Sequence, residues 1–382
     1  MADPALRVRF VETLDAVDAA AWDALRADAN PFLSHAFLAG LERHGCIRAD
    51  WGWQAQHALL YRDTALVAAA PLYRKENSRG EFVFDFAWAR AWEAAGGQYY
   101  PKLLGAVPYS PVTGPRLLTG TGPDAAALKR PLVDAMVEAT LAHGWSSAHV
   151  DFLPPDDHNA FDARWLPRFD WQFHWHNRGY RRFDDFLAAL RHKKRKNIRH
   201  ERQQAHAGLA CTMQRGDTLN ERDWQRVHAL YCDTFARKGN LATLSLGFFQ
   251  HLATSLGDGL QLALARQRGE IVAMALFLVG GACLYGRYWG SAIEQAGLHF
   301  ELCYYQGIDY AIAHGLARFE PGAQGEHKLA RGFLPCRTES RHYIVHAGFR
   351  TAVAAALRRE QAALLDYRAE LLAHSPYTDL PP

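Results

Sequence analysis

The chain has 382 residues, of which 49% are hydrophobic and 12% aromatic, and its formal net charge is +3. This apolar content excludes an intrinsically disordered protein, and the length exceeds what one hydrophobic core usually organises. We therefore expect a globular protein with two domains. The six cysteines are scattered without a C-x-x-C pair, which argues against a disulfide framework and against a zinc ribbon.

The first half begins with a series of predicted β-strands. Three runs carry the pattern, HALLYRD (57–63), TALVAAAPLYRK (64–75) and GEFVFDFAWARAWE (80–93). An insert rich in tyrosine and proline follows, YYPKLLGAVPYSPVTGPRLL (99–118), and then a helical stretch, PLVDAMVEATLAHG (131–144). The aromatic residues of this half fit either core packing or a wall for a substrate. They include Trp51, Trp53, Trp88, Trp92, Tyr99 and Tyr100.

A basic segment begins the second half. Residues 178–202 hold ten Lys and Arg against three Asp and Glu, so the remainder of the chain is net negative. Ile198 is the only apolar residue from Arg191 to Arg202. This composition predicts a solvent-facing helix over that range. Two interpretations stay open, a solubilising surface or contact with phosphate groups or RNA. The candidates for phosphate or RNA contact are Lys193, Lys194, Arg195, Lys196 and Arg199.

The second half repeats the order of the first. LQLALARQRG (260–269), EIVAMALFLVGG (270–281) and ACLYGRYWGS (282–291) predict three strands. The helical ELCYYQGIDYAIAHG (301–315) then ends in the Ala-His-Gly that also ends the helical stretch of the first half. This recurrence favours duplication of one α/β unit, with domains at 1–175 and 176–382. An amphipathic helix over 348–374 is expected near the end of the chain.

The segment GAQGEHKLARGF (322–333) crowds four unlike ionisable groups into six positions. Glu326 and His327 are candidate proton acceptors, and Lys328 is a third candidate catalytic residue. A charged surface loop is the alternative interpretation for this segment. For Glu301 the alternative is a capping role at the start of a helix. The substrate-binding candidates are Tyr285, Arg287, Tyr288, Ser291, Glu301, Gly322, Gly325 and Arg331.

The sequence lacks the residue patterns of a metal site and of several common enzyme classes. His174 with His176, and His342 with His346, have no further ligand at a fixed spacing, so we predict no metal site. No G-x-S-x-G, H-E-x-x-H, P-loop or dinucleotide-binding motif occurs. Hydrolase, metalloprotease, P-loop and dinucleotide-binding functions therefore lack their characteristic groups.

Several long segments together resemble the bacterial FemAB-like N-acyltransferases, relatives of the peptidoglycan Fem aminoacyltransferases in the GNAT fold superfamily. They are GWQAQHALLY, HVDFLPPD, GRYWGS, LHFELCYYQGIDYAI, GAQGEHKLARGFLPCRTESRHYI and the tyrosine- and proline-rich insert. The resemblance covers residues 28–350 and implies an α/β (α+β) fold. It implies two tandem GNAT-like domains, each a mixed, mostly antiparallel sheet flanked by helices. It also implies that the second domain holds the substrate groove, with Lys328 and the segment 329–333 as the counterpart of a Phe-Lys element of the Fem enzymes.

The same resemblance implies a transferase that moves an acyl or aminoacyl group onto an amine, with a peptidoglycan-related precursor as a candidate acceptor. Acyl-CoA and aminoacyl-tRNA stay open as donors. The R-x-x-G-x-G/A loop that holds the CoA pyrophosphate in GNAT enzymes is not found at residues 287–291, and the basic helix suits a tRNA partner. The alternative is a non-catalytic binding module that recognises a cell-wall precursor or RNA. A secretion signal and a run long enough to cross a bilayer are both missing, so we expect a cytoplasmic protein.

Overall fold

The computed structural model describes residues 6–323 and 325–379. The chain divides into two compact units. Unit 1 comprises Met1–Asp170 and Arg337–Asp366, and unit 2 comprises Trp171–Cys336 and Tyr367–Pro382. The predicted domain boundary after residue 175 lies close to the end of the first part of unit 1, at residue 170. The prediction did not include residues 337–366 in the first domain.

Unit 1 contains two sheets. Strands β1, β3 and β4 form an antiparallel three-stranded sheet in the order β1-β3-β4. The second sheet has the order β2-β5-β6-β7-β14, in which only β6 and β7 are parallel; its last strand, β14, is Leu334–Ile344. The elements of this part of the chain are β1 (Leu6–Val11), α1 (Ala19–Ala24), α2 (His35–Arg43), β2 (Trp53–Ala55), β3 (His57–Arg62), β4 (Ala65–Ala70), β5 (Leu72–Lys75), α3 (Phe86–Ala94), β6 (Lys102–Gly105), α4 (Ala125–Ala142) and β7 (Ser147–Leu153).

The strand predicted at residues 80–93 is wrong, because Phe86–Ala94 forms the helix α3. Alanine is the strongest helix former, and it fills every second or third position of this segment. Trp88 and Trp92 stand four residues apart, so a helix places both rings on one side. Helical propensity and spacing therefore outweigh the strand preference of the aromatic residues.

Unit 2 is built on one mixed sheet. Its strands have the order β8-β13-β12-β11-β10-β9, and only β12 and β13 are parallel. The three strands predicted in the second half are confirmed as β10, β11 and β12. The elements are β8 (Trp165–His176), α5 (Phe183–Ala188), α6 (His192–Ala205), β9 (Ala210–Arg215), α7 (Glu221–Arg237), α8 (Leu246–Leu256), β10 (Leu260–Gln267), β11 (Glu270–Gly280), β12 (Cys283–Ser291), α9 (Leu298–Phe300), α10 (Gln306–Ala313) and β13 (Arg318–Glu320).

Buried apolar side chains hold each sheet to its helices. In unit 1, Leu132 and Met136 of α4 belong to the same core cluster as Leu72, Leu103 and Val150 of the sheet. In unit 2 a larger cluster joins the sheet to α5, α6 and the segment 298–316. Both units therefore have a mixed, mostly antiparallel sheet flanked by helices, as predicted.

The expected terminal helix is confirmed as α11 (Ala347–Ala373). Val353, Leu357 and Leu371 are buried on it. Within residues 6–323 and 325–379, no helix is both long enough and apolar enough to cross a bilayer.

A candidate active site where two strands part

The candidate site of unit 2 lies where β12 and β13 separate. These parallel strands pair at three positions, and Tyr285 with Glu320 is the last pair. Beyond it β12 continues to Ser291, whereas the chain after Glu320 leaves the sheet and enters a 3₁₀ turn at Glu326–Arg331. Arg287 lies at the point of separation, where its Nη1 donates to the carbonyl oxygens of Gly286 (2.7 Å) and Glu320 (3.2 Å).

Lys328 points into the interior from the 3₁₀ turn. Its side chain is buried, and its Nζ donates to the carbonyl oxygen of Gly322 at 2.7 Å. Burial, followed by the positive charge of Arg287, lowers the pKa of Lys328 to about 7. A sizeable fraction of this lysine is therefore a neutral amine near pH 7, which can exchange a proton with a bound substrate.

Glycine is required in the turn that delivers Lys328. Gly322 and Gly325 have φ of +94° and +118°, a region that other residues rarely adopt. A Cβ on Gly325 would lie 2.6 Å from Cε1 of His327. Gly325 therefore provides both the backbone conformation and the space for the imidazole ring.

His327 lies on the exposed side of the same turn. Its Nε2 is 2.8 Å from the hydroxyl oxygen of Tyr304. Partial burial and the charges of Arg331 and Lys328 lower the pKa of His327, so the neutral imidazole predominates at pH 7. A neutral imidazole at an exposed position has the protonation state of a general base.

A π-helical turn, Glu301–Tyr305, carries Tyr304 toward this ring. Turns of this kind often occur at functional sites. The rings of Phe300 and His299 also approach His327, with centroids 5.8 and 6.1 Å away. The imidazole therefore lies against an aromatic surface.

Glu326 occupies a different position from its two neighbours. Its side chain is exposed, and its Oε1 accepts a hydrogen bond of 2.6 Å from the hydroxyl of Tyr367. The three predicted catalytic residues therefore divide into a buried lysine, a neutral histidine at the surface and an exposed glutamate.

Arg331 is held by an ion pair rather than presented to solvent. Its Nη2 and Nε lie 2.6 and 3.2 Å from the two carboxylate oxygens of Glu201. Its guanidinium carbon lies 3.3 Å from the centroid of the Phe300 ring, and its Nη1 donates to the carbonyl oxygen of His327 at 2.8 Å. Tyr305 also donates to Glu201. Arg331 thus ties the 3₁₀ turn to α6.

Glu301 is fully buried and heavily hydrogen-bonded. Arg202 contacts both of its oxygens, at 3.0 and 3.1 Å, and His206 and Gln306 contact Oε1 at 3.1 and 2.8 Å. Arg202 also pairs with Asp309 at 2.9 Å. These contacts join α6 to the segment that begins at Leu298, which fits a structural function for Glu301.

The candidates on β12 separate into two groups. Tyr285 is buried beside Arg287, whose guanidinium carbon lies 5.4 Å from the centroid of its ring, and burial raises the pKa of the Tyr285 hydroxyl. Tyr288 instead packs against Tyr231 of α7, with ring centroids 5.2 Å apart. Ser291 donates to the carbonyl oxygen of Ile293 at 2.7 Å. Only Tyr285 and Arg287 of these residues lie where the strands part.

Glu320 was missed by the sequence interpretation. It is buried, its Oε1 pairs with Nε of Arg318 at 2.9 Å, and its Oε2 has no hydrogen-bond partner among the described residues. Burial raises the pKa of this carboxyl group. The available signal was its position as the charged end of a short strand directly before Pro321 and Gly322.

The basic helix α6 shows two kinds of side chain. Lys193, Lys196 and Arg199 are exposed. Lys194 and Arg195 are half-buried, and Arg195 donates to the carbonyl oxygen of Ala188 at 3.3 Å. The exposed three have the accessibility that contact with a polyanion requires.

No group of three or more His, Cys, Asp or Glu side chains with the arrangement of a metal site occurs within residues 6–323 and 325–379. One surface cavity of about 470 Å³ lies between the start of α7 and the start of β11. It is lined by Arg222, Asp223, Gln225, Arg226, Glu270, Ile271 and Val272. It does not include the strand separation described above.

The chain belongs to the FemAB-like family, described as acting in peptidoglycan biosynthesis or recognition, which it matches over residues 13–379. This confirms the predicted family. No curated protein matches the sequence.

Two solved structures share the fold at low sequence identity. FemX is 12% identical with a TM-score of 0.52, over 88% of this chain and 98% of FemX. The C-terminal domain of an Agrobacterium fabrum protein described as a lysylphosphatidylglycerol synthetase is also 12% identical, with a TM-score of 0.50, over 90% of this chain and 96% of that one. The predicted tandem GNAT-like fold class is consistent with both and with the sheets described above.

Proposed function

We propose that unit 2 is an N-acyltransferase that moves an acyl or aminoacyl group from an activated donor to an amine acceptor. The observation that carries the proposal is Lys328, a buried lysine whose pKa is lowered to about 7, located where β12 and β13 part. A lysine is costly to bury, and a pKa matched to neutral pH is a common feature of catalytic groups. Membership of a family described by peptidoglycan biosynthesis or recognition is compatible with this class of reaction.

The residues of the site suit the steps of such a transfer. The acceptor amine attacks the donor carbonyl, and a negative charge develops on the carbonyl oxygen. His327, as the neutral imidazole, takes the proton that the attacking nitrogen loses. Lys328 in its ammonium form gives a proton to the sulfur or oxygen of the leaving group as the bond to the carbonyl carbon breaks, so the donor departs as a neutral thiol or hydroxyl.

Arg287 and Glu320 complete the proposed machinery as positioning residues. The positive charge of Arg287 contributes to the lowered pKa of Lys328. Glu320, which the sequence interpretation missed, is buried at the last paired position and orients Arg318. We propose that loss of the Glu320 side chain would disturb the place where β12 and β13 separate.

The acceptor is proposed by class alone. FemX and a protein described as a lysylphosphatidylglycerol synthetase share this fold, and the family description concerns peptidoglycan. An amine on a cell-wall precursor is therefore the proposed acceptor.

The donor is proposed to be aminoacyl-tRNA or acyl-CoA. Both carry phosphates, and Lys193, Lys196 and Arg199 are exposed on α6 for contact with them. Thermal shift with acetyl-CoA, a longer acyl-CoA and aminoacyl-tRNA distinguishes these donors, because a ligand that binds only the folded protein raises its midpoint. The matched control is the same titration with Lys193→Gln/Lys196→Gln/Arg199→Gln, in which the shift from the true donor should shrink.

Transfer itself is tested with a labelled acyl group and a primary amine acceptor. The proposal expects labelled amide with one donor class and at least a hundredfold loss of the rate with Lys328→Ala. A purified protein that binds a precursor or RNA, yet forms no amide with either donor class, would establish the binding module instead.

A further inference from the structure

His299 lies beside the candidate site of unit 2 without a hydrogen bond to the protein. It is the middle residue of α9 and is half-buried, and no other described residue hydrogen-bonds to either of its ring nitrogens. A neutral imidazole has one N–H donor and one acceptor nitrogen, so both are available to water or to a bound ligand. The sequence interpretation did not select His299, and the steps proposed for the transfer reaction do not use it.

Three aromatic rings fix the orientation of His299. The Trp289 ring meets it edge to face with centroids 5.2 Å apart, and the rings of Phe300 and Tyr304 do the same at 5.4 and 5.5 Å. Each contact of this kind contributes about 0.5–1.5 kcal/mol beyond the burial of its area. The imidazole is therefore held in place before any substrate binds, which is the condition for efficient electrostatic stabilisation of a transition state.

Trp289 connects His299 to the place where β12 and β13 separate. It lies on the part of β12 beyond Tyr285, the last residue that pairs with β13. His299 also approaches His327, with ring centroids 6.1 Å apart. Hydrogen bonds of about 2.7–3.1 Å from the two imidazoles can therefore reach two atoms that are bound to one carbon between them.

Basic groups surround His299. Burial is the largest cause that lowers its pKa to about 4, followed by the charges of His327, Arg331, Lys238 and Lys328. None of these groups is a carboxylate. The ring is therefore neutral at pH 7, and surroundings that oppose a further positive charge favour a negative charge placed beside it.

We propose that His299 is a catalytic residue that donates a hydrogen bond from its ring N–H to the carbonyl oxygen of the acyl donor. The inference rests on the transfer reaction proposed for unit 2, in which negative charge develops on that oxygen. The observations that carry it are the ring nitrogens without a protein partner, the fixed orientation of the ring and its position beside His327. A neutral imidazole can polarise a carbonyl in this way because it donates a proton in a hydrogen bond without losing it.

Electrons and protons balance in this scheme. As the amine nitrogen bonds to the carbonyl carbon, the π pair of the carbonyl moves onto its oxygen, which accepts the hydrogen bond from His299. The pair returns when the bond between this carbon and the sulfur or oxygen of the leaving group breaks. His327 has then gained one proton and Lys328 has lost one, so transfer of one proton through solvent restores both residues.

Single-turnover rates of amide formation by His299→Phe and His299→Gln test the proposal. Phenylalanine keeps a ring among Trp289, Phe300 and Tyr304 but has no N–H, so the rate constant should fall by at least about 10²-fold, as for loss of one oxyanion donor. Glutamine restores an N–H donor, so His299→Gln should be at least about tenfold faster than His299→Phe. The matched control His314→Phe, at an exposed histidine after α10, should transfer at the wild-type rate.

Two further measurements separate catalysis from a structural function of His299. The donor that stabilises the wild-type chain in the thermal-shift comparison should still raise the midpoint of His299→Phe, because the hydrogen bond strengthens only as charge develops on the oxygen. The remaining rate of His299→Phe should keep the wild-type pH dependence between pH 6 and pH 9, because His299 is neutral throughout that range.

Three results would overturn the inference. A folded His299→Phe protein that transfers at the wild-type rate would show that no hydrogen bond from His299 is needed. A His299→Gln protein as slow as His299→Phe would show that the N–H donor is not the feature that matters. Both of these results leave the transfer function standing, whereas a wild-type chain that forms no amide with either donor class would overturn the proposed function and this inference with it.

Discussion

Lys328 donates a hydrogen bond from its buried Nζ to the carbonyl oxygen of Gly322, 2.7 Å away, across the turn that follows β13. The carbonyl is a neutral partner, so the ammonium has no carboxylate to offset its desolvation at this contact. The lowered pKa of Lys328 follows from this arrangement, and it sets the first prediction.

Replacing Lys328 with methionine should change how the free energy of unfolding depends on pH. The pKa of Lys328 is about 7 in the folded protein and has an ordinary value of 10.5, so the unfolded chain binds more protons between these values. Wild-type stability should therefore rise with pH relative to Lys328→Met, by about 1.4 kcal/mol per pH unit. Urea unfolding of both proteins at pH 7.5 and pH 9 measures this difference, and an unchanged difference would show that Lys328 titrates normally.

The Arg331–Glu201 pair should contribute strongly to stability. Its side chains are 10% and 23% exposed, and breaking a buried pair by removing one partner costs about 3–5 kcal/mol, an upper bound for this partly exposed pair. Glu201→Gln should therefore lower the free energy of unfolding by about 2 kcal/mol or more. The matched control is Glu270→Gln at the exposed pair with Arg222, where about 0–1 kcal/mol is expected. Equal effects at the two sites would contradict the structural function given to Arg331.

The strands β10–β12 and the helix α11 were predicted from local patterns. For the strands the pattern is a short apolar run bounded by turn residues, and for the helix it is the spacing of apolar residues. The same reasoning failed at residues 80–93. The helix α3 forms there, and it contains aromatic residues, which also favour strands. Local reasoning also missed the partner of Arg331, since Glu201 lies 130 positions away in a segment that reads as a uniformly basic helix. Pairing across such a distance depends on the fold and not on spacing.

The buried pair His149 and His342 should make unit 1 sensitive to acid. Their Nδ1 atoms are 2.7 Å apart, and burial with the charge of Lys102 lowers the pKa of His149 to about 3, against an ordinary value of 6.5. Below pH 6.5 the unfolded chain binds more protons than the folded one, so stability falls as the pH falls. Relative to His149→Gln, the wild-type chain should lose about 2 kcal/mol more between pH 7 and pH 5. Parallel losses in both proteins, followed by chemical denaturation, would contradict this account of the pair.

Binding of tRNA should depend on salt through the exposed face of α6. Each phosphate contact to a single strand contributes a slope of about −0.7 to the logarithm of affinity against the logarithm of salt concentration. The substitutions Lys193→Gln, Lys196→Gln and Arg199→Gln together should make this slope shallower by about 2. Filter binding at several salt concentrations measures it, with the exposed Arg358→Gln and Arg359→Gln of α11 as controls. Equal slopes for the α6 and the α11 variants would remove α6 from the proposed donor contact.

The most direct test of the proposed site is the single-turnover rate of amide formation by Lys328→Ala, measured with the donor that the thermal-shift comparison selects. The variant should remain folded, and its rate constant should fall by at least about 10²-fold, the lower end of what a general acid or base contributes. Lys328→Arg should not restore the rate, because its guanidinium stays protonated at neutral pH. A Lys328→Ala protein that is folded and transfers the acyl group at the wild-type rate would contradict the claim that unit 2 works through this lysine.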